Sequence, residues 1–166
     1  MELRNPINRR RILIVDDNID ILMSMEMLLD LMGYIVATAS NGLEAIDTAR
    51  TFPPDLILMD IGMPQLNGYA VAKEIRKQSW GEKIFIVALT GLGHEQDKQD
   101  AKEAGFDFHI TKPIKIDMLK RLLADLELGV IGFFHFQKSS SHSPLLRSGG
   151  SKDTCQNRTF YILNSL

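Results

Sequence analysis

The stretch Ile12-Leu13-Ile14-Val15-Asp16-Asp17-Asn18 is a short run of β-favouring residues that stops on two carboxylates. The same design returns twice: Leu56-Ile57-Leu58-Met59-Asp60 ends on a third carboxylate, and Ile110-Thr111-Lys112-Pro113 on a cation. If the three runs are parallel strands of one sheet, their charged ends converge at its carboxyl edge, where open α/β sheets place their ligands. Three carboxylates and one lysine gathered there would make a site for a divalent cation and a phosphoryl group.

Between these runs the hydrophobic period alternates between strand and helix. After Asp17, the residues Ile21, Leu22, Met25, Leu28, Leu29 and Met32 recur at helical spacing until Gly33 stops them. Residues 34–39 read as a second strand; Leu43, Ala45, Ile46 and Ala49 mark a second helix, capped by Ser40 or Asn41 and ended by Pro53-Pro54. A third strand over 56–59 leads through a loop to a helix from Tyr69 to about Gln78, with Trp80 covering its end. A fourth strand spans 84–89, and a more polar helix over 95–104 closes at Gly105. A short strand over 108–110, with Phe108 facing the core, precedes a last helix over 116–126. Five strands alternating with five helices predict a parallel sheet covered on both faces, because right-handed crossovers put helices on either side.

Composition frames this reading. At 166 residues, 45% apolar and 24% charged, the chain can bury one good core and is too short for two ordinary domains. Residues 1–128 hold 15 Lys+Arg against 20 Asp+Glu, a charge of -5, whereas residues 129–166 hold 4 against 1, a charge of +3. A mildly acidic body argues for a protein partner and against nucleic acid, so Arg9-Arg10-Arg11 reads as a solvated strand start. The single cysteine, Cys155, excludes an intrachain disulfide and fits a reducing, cytoplasmic compartment. No leader pattern is visible, and no apolar stretch reaches the ~20 residues of a membrane span. The expected organisation is an N-terminal extension over 1–10, one domain over 11–128 and a poorly structured tail over 129–166. That tail is expected to lie outside the functional fold, so that a cut after Leu128 leaves stability almost unchanged, although the apolar patch at 131–136 has the composition to pack onto the body.

The strand ends carry the chemistry. Mg²⁺ takes oxygen ligands and keeps several waters, so carboxylates from different loops, here Asp16, Asp17 and Asp60, suffice to hold it. Crowded carboxylates resist joint ionisation unless cations neutralise them, which a metal and the ammonium of Lys112 would do. With its charge compensated, Asp60 can act as a nucleophile toward a phosphoryl group and form an acyl phosphate. Thr90, ending the fourth strand on the same edge, can donate its hydroxyl to a phosphoryl oxygen, and Gly91 leaves room for the group.

Taken together, Asp16-Asp17, Asp60 followed by Met63-Pro64 and Gly68, Thr90-Gly91 and Lys112-Pro113 resemble the response-regulator receiver domain of two-component phosphorelays, over residues 11–126. The resemblance implies a flavodoxin-like five-stranded sheet of order 2-1-3-4-5. It implies that Asp60 accepts a phosphoryl group from a phosphohistidine on a histidine kinase or histidine phosphotransfer protein. Mg²⁺ would be bound by Asp17, Asp60 and the Gly62 carbonyl, with Asp16 assisting, while Lys112 pairs with the phosphoryl group and the Lys112-Pro113 peptide is cis. Thr90 and His109, which stands where the family has its switch aromatic, would pass the change to a downstream protein through the face made by the fourth helix, fifth strand and fifth helix. Segments 60–64, 88–91 and 104–109 are similar to receivers at the carboxyl end of hybrid sensor kinases. No kinase segment or DNA-reading module is legible, so the chain is expected to receive a phosphoryl group and not to make one from ATP.

Blander readings compete at each position. Asp17 alone could be a helix cap, Asp60 a turn residue and Lys112 a solvated lysine, but their joint register outweighs this. Gly91-Leu92-Gly93 lacks the remaining residues of either nucleotide-binding loop. His94, His135 and His142 have no ligand-spaced partners, and Met23, Met25, Met27 and Met32 read as core or adjoining surface. Two other classes remain: a receiver-like scaffold that never turns over phosphate, and a dehalogenase-type phosphatase, which expects an acid where this chain has Gly62.

Overall fold

A computed structural model describes residues 9–91 and 95–128, without the side chains of 95–98. The elements alternate as expected: β1 (Arg11–Val15), α1 (Ile19–Leu31), β2 (Ile35–Ala39), α2 (Gly42–Thr51), β3 (Leu56–Asp60), α3 (Gly68–Lys77), β4 (Phe85–Thr90), α4 (Glu95–Ala104), β5 (Phe108–Thr111) and α5 (Ile116–Glu127). All neighbours pair in parallel, in the order β2-β1-β3-β4-β5.

The pleat sorts the core into two layers. Ile12, Ile14, Leu56, Leu58, Val87 and Leu89 join Leu22 and Leu29 of α1 and Leu119, Leu122, Leu123 and Leu126 of α5. Leu13, Val15, Ile57, Met59, Ile86 and Ala88 join Ala45 and Ala49 of α2, Val71, Ala72 and Ile75 of α3, and Ala101 and Ala104 of α4. Every residue of β3 is buried, as both covered faces require.

Local departures from the sequence reading have identifiable causes. Asn18, which the reading did not consider, caps α1, its side chain accepting from the N–H groups of Asp20 and Ile21, so that Asp17 is not needed as a cap. Asn41 is the cap of α2, accepting from Glu44 N–H at 2.9 Å. Strand β2 starts at Ile35 because Tyr34 still closes α1: its N–H donates to Leu29 O and that of Gly33 to Asp30 O, with Gly33 at φ +93°. The arginine cluster is less solvated than expected, since Arg10 pairs with Asp55 at 3.0 Å and Arg11 lies 4.2 Å above the Phe52 ring. Trp80 packs against the α2–α3 layer, and Phe108 is buried. Of the helix α1 methionines, Met23 and Met27 are exposed, while Met25 and Met32 pack against the α1–α5 layer. The expectations for residues 1–8 and 129–166, with Cys155, His135 and His142, and for His94 lie outside the described residues.

Candidate functional site

Strand register brings the charged ends together. Val15 pairs with Ala39 on one side and Met59 on the other, and Asp16 N–H continues the ladder to Ala39 O at 3.2 Å. Asp16 is therefore held one step past β1, and Asp60 at the last position of β3, in register with Leu89. Beyond β5, Lys112 N–H donates to Thr90 O at 2.7 Å, and the Lys112–Pro113 peptide is cis.

The ammonium of Lys112 sits between two acids, 2.8 Å from Asp16 Oδ2 and 3.1 Å from Asp60 Oδ1. Asp16 Oδ1 accepts from Asn18 N–H at 2.9 Å, so both oxygens of this 2%-exposed side chain are engaged. Burial lowers the Lys112 pKa, but hydrogen bonds to Asp16 and Asp60, and their charges, outweigh it and raise the pKa above the ordinary lysine value. Asp17 is exposed beside them, and one oxygen from each of Asp16, Asp17 and Asp60 lies within 4.8 Å of the others. Three carboxylates face one ammonium here. An all-oxygen cluster with excess negative charge fits a hard divalent cation such as Mg²⁺.

Two further features frame Asp60. A Cβ built on Gly62 would lie 3.7 Å from Asp60 Oδ2, so the chain after β3 runs directly past the carboxylate. Gly68 closes the same loop: its N–H donates to Ile61 O at 3.2 Å, and an added Cβ would meet Asp60 O at 2.6 Å. At the neighbouring strand end Thr90 is buried, and among the described residues only its Oγ1 and Arg11 Nε are buried side-chain polar atoms without a hydrogen-bond partner. His109 lies further back, in register with Ala88 of β4, half-buried with its ring 5.8 Å from that of Phe108.

Sequence reading passed over one surface. Ile19, Met23, Met27 and Leu31 recur every fourth residue along α1 and are all more than half exposed, forming an apolar row that begins beside Asp17. The repeat was legible; its outward orientation was not, because α1 also carries the buried Leu22 and Leu29.

Residues 12–124 match the response regulator receiver domain family. A probable transcriptional regulator ycf27 from Cyanophora paradoxa is 38% identical over 120 residues, covering 72% of this chain and 49% of that protein. The chain spans about half the length of the curated relatives it matches. Because such relatives are named as transcriptional regulators, the expectation that nucleic acid is not a partner finds no support in them. The chemotaxis protein CheY4 of Vibrio cholerae superposes with a TM-score of 0.68 at 31% identity, covering 72% of this chain and 99% of that one. A sensor histidine kinase receiver domain from Pseudomonas aeruginosa, described with a magnesium ion coordinated in its active-site cleft, gives 0.64 at 34% identity, covering 70% and 95%. The receiver domain of Ssk1 from Saccharomyces cerevisiae, crystallised with the histidine phosphotransfer protein Ypd1, gives 0.67 at 27% identity, covering 74% and 92%. With its strand order, its acidic edge and this family match in agreement, the chain belongs to the response regulator receiver domain family.

Proposed function

We propose that this receiver accepts a phosphoryl group on Asp60 from a phosphohistidine donor. The observation that carries the assignment is Lys112 bridging Asp16 and Asp60 beside a third carboxylate. In the transfer, an Asp60 carboxylate oxygen attacks phosphorus as the bond to the donor imidazole nitrogen breaks, leaving an acyl phosphate on the protein and a neutral imidazole after proton uptake. The Lys112 ammonium neutralises charge gathering on the phosphoryl oxygens, and the uncommitted Thr90 hydroxyl donates to one of them. Asp16, Asp17, Asp60 and the Gly62 carbonyl would hold Mg²⁺, which supplies further charge neutralisation when bound. The group ends on the chain's own side chain, so this is a signalling step and not multiple-turnover catalysis.

The donor is a histidine kinase or a histidine phosphotransfer protein of the cytoplasm, and the apolar row Ile19, Met23 and Met27 gives its helices a surface beside the acids. Thr90 and His109 would relay the modified state to a protein partner on the face formed by α4, β5 and α5. Incubation with Mg²⁺ and acetyl phosphate, followed by intact mass and peptide mapping, tests the assignment. One adduct on Asp60, absent without Mg²⁺ and absent in Asp60→Asn, is expected. An adduct retained in Asp60→Asn would remove Asp60 as the acceptor, and no adduct with no Mg²⁺ binding would favour the scaffold reading.

A further inference from the structure

We propose that Asn18 is a positioning residue of the acidic edge, its side chain fixing the turn that holds Asp16 and Asp17 in place for a divalent cation. The inference rests on the reading of that edge as a Mg²⁺-dependent phosphoacceptor site and adds a residue to it that is not itself a ligand.

Between β1 and α1 two turns follow in tandem, each closed by a side chain on the backbone two residues ahead. Asp16 Oδ1 accepts from Asn18 N–H at 2.9 Å, and Asn18 Oδ1 accepts from Asp20 N–H, also at 2.9 Å. Asn18 Oδ1 accepts from Ile21 N–H as well, at 3.4 Å, and Asn18 O from Leu22 N–H at 3.1 Å. The first turn of α1 therefore grips Asn18 by its side chain and by its carbonyl, with the backbone extended at φ -88° and ψ 109°. That grip sets the direction of the Asn18 N–H, and the N–H in turn sets Asp16. The other oxygen of Asp16 meets Lys112, which it shares with Asp60, so the Asn18 N–H is the contact that tells Asp16 from its neighbour. Asp17 lies inside the first of the two turns and is carried by it. Hydrogen bonds of this kind orient metal-binding carboxylates, and their loss typically weakens metal binding by about 10–100-fold. Released from α1, residue 18 no longer holds Asp16 Oδ1, and the three carboxylates, with one oxygen each now within 4.8 Å of the others, lose their fixed spacing.

Calorimetric Mg²⁺ titration of the full chain, paired with amide exchange of the metal-free protein, tests this. Asn18→Gly is the central variant, because glycine at a cap leaves helix stability close to wild type while freeing the backbone. It should weaken Mg²⁺ binding roughly tenfold and, without metal, speed exchange at residue 18 relative to its intrinsic rate. Asn18→Ser, which restores the cap, should return both quantities to wild type. Asn41→Ala measures a merely structural loss: it removes the cap of α2, a side chain that among the described residues bonds only to Ser40 and Glu44, and should lower thermal stability without changing Mg²⁺ affinity. Equal Mg²⁺ affinity in wild type and Asn18→Gly, a loss that Asn18→Ser does not recover, or an equal loss in Asn41→Ala would overturn the proposal and leave the phosphoacceptor reading standing. No Mg²⁺ uptake by the wild type would overturn both.

Discussion

The two edges of this sheet each bury a cation against carboxylate, and they do so in opposite ways. At the amino edge Arg76 of α3 donates through Nε to Gly105 O at 2.8 Å, through one terminal nitrogen to Gly81 O at 2.6 Å and Ile84 O at 2.8 Å, and through the other to Asp107 Oδ2 at 2.6 Å. Asp107 also accepts from Ile86 N–H at 2.9 Å. One charge meets one charge, and three carbonyls absorb the rest of the fork. Burial lowers the Arg76 pKa despite the charge and hydrogen bond of Asp107 beside it. At the carboxyl edge, Lys112 faces an excess of carboxylate, and the neighbouring Thr90 hydroxyl has no partner among the described residues. The balanced edge is a clamp among α3, β4 and β5; the unbalanced one is poised to gain a cation and a phosphoryl group.

This contrast can be broken by substitution. Arg76→Ala should have the largest effect on stability, about 3–5 kcal/mol in denaturant unfolding, because it leaves Asp107 buried without its cation. A loss below 1 kcal/mol would mean that the clamp is ornamental. Asp107→Asn, which keeps the shape, should cost about 1–3 kcal/mol while leaving acetyl phosphate labelling intact at low temperature. Lys112→Met should lower metal-free stability by about 2 kcal/mol, since Asp16 and Asp60 then face each other uncompensated, and Mg²⁺ should restore more to this variant than to the wild type. Equal Mg²⁺ stabilisation of both proteins would move the metal elsewhere. Asp17→Asn should have the smallest effect, a slight gain in metal-free stability with loss of Mg²⁺-dependent stabilisation. The opposite signs at Asp107 and Asp17 are the sharpest form of the comparison.

The carboxyl edge was far more legible in sequence than the amino edge. Each of Asp16, Asp60 and Lys112 follows an apolar run, so locating the strands located the charges. Arg76 has partners 5, 8, 29 and 31 residues away on the two connections that lead into β4 and β5, and no local pattern announces such a convergence. The cap of α1 was legible in principle, since Asn18 directly precedes the helical run, but the reading weighed capping only for Asp17, as the alternative to its place in the acidic site. Likewise β2 lost Tyr34 because a hydrogen-bonded helix end outcompetes a strand start that apolar character alone suggests.

Gly68 has a mechanical consequence. With α3 starting against the Asp60 backbone, the loop beyond Asp60 is pinned at both ends, by Ile61 N–H to Leu89 O and Gly68 N–H to Ile61 O. On the other side, a Cβ at Gly91 would find nothing within 4 Å. The backbone beyond Asp60 is thus braced toward α3, whereas the position after Thr90 has open space for a side chain.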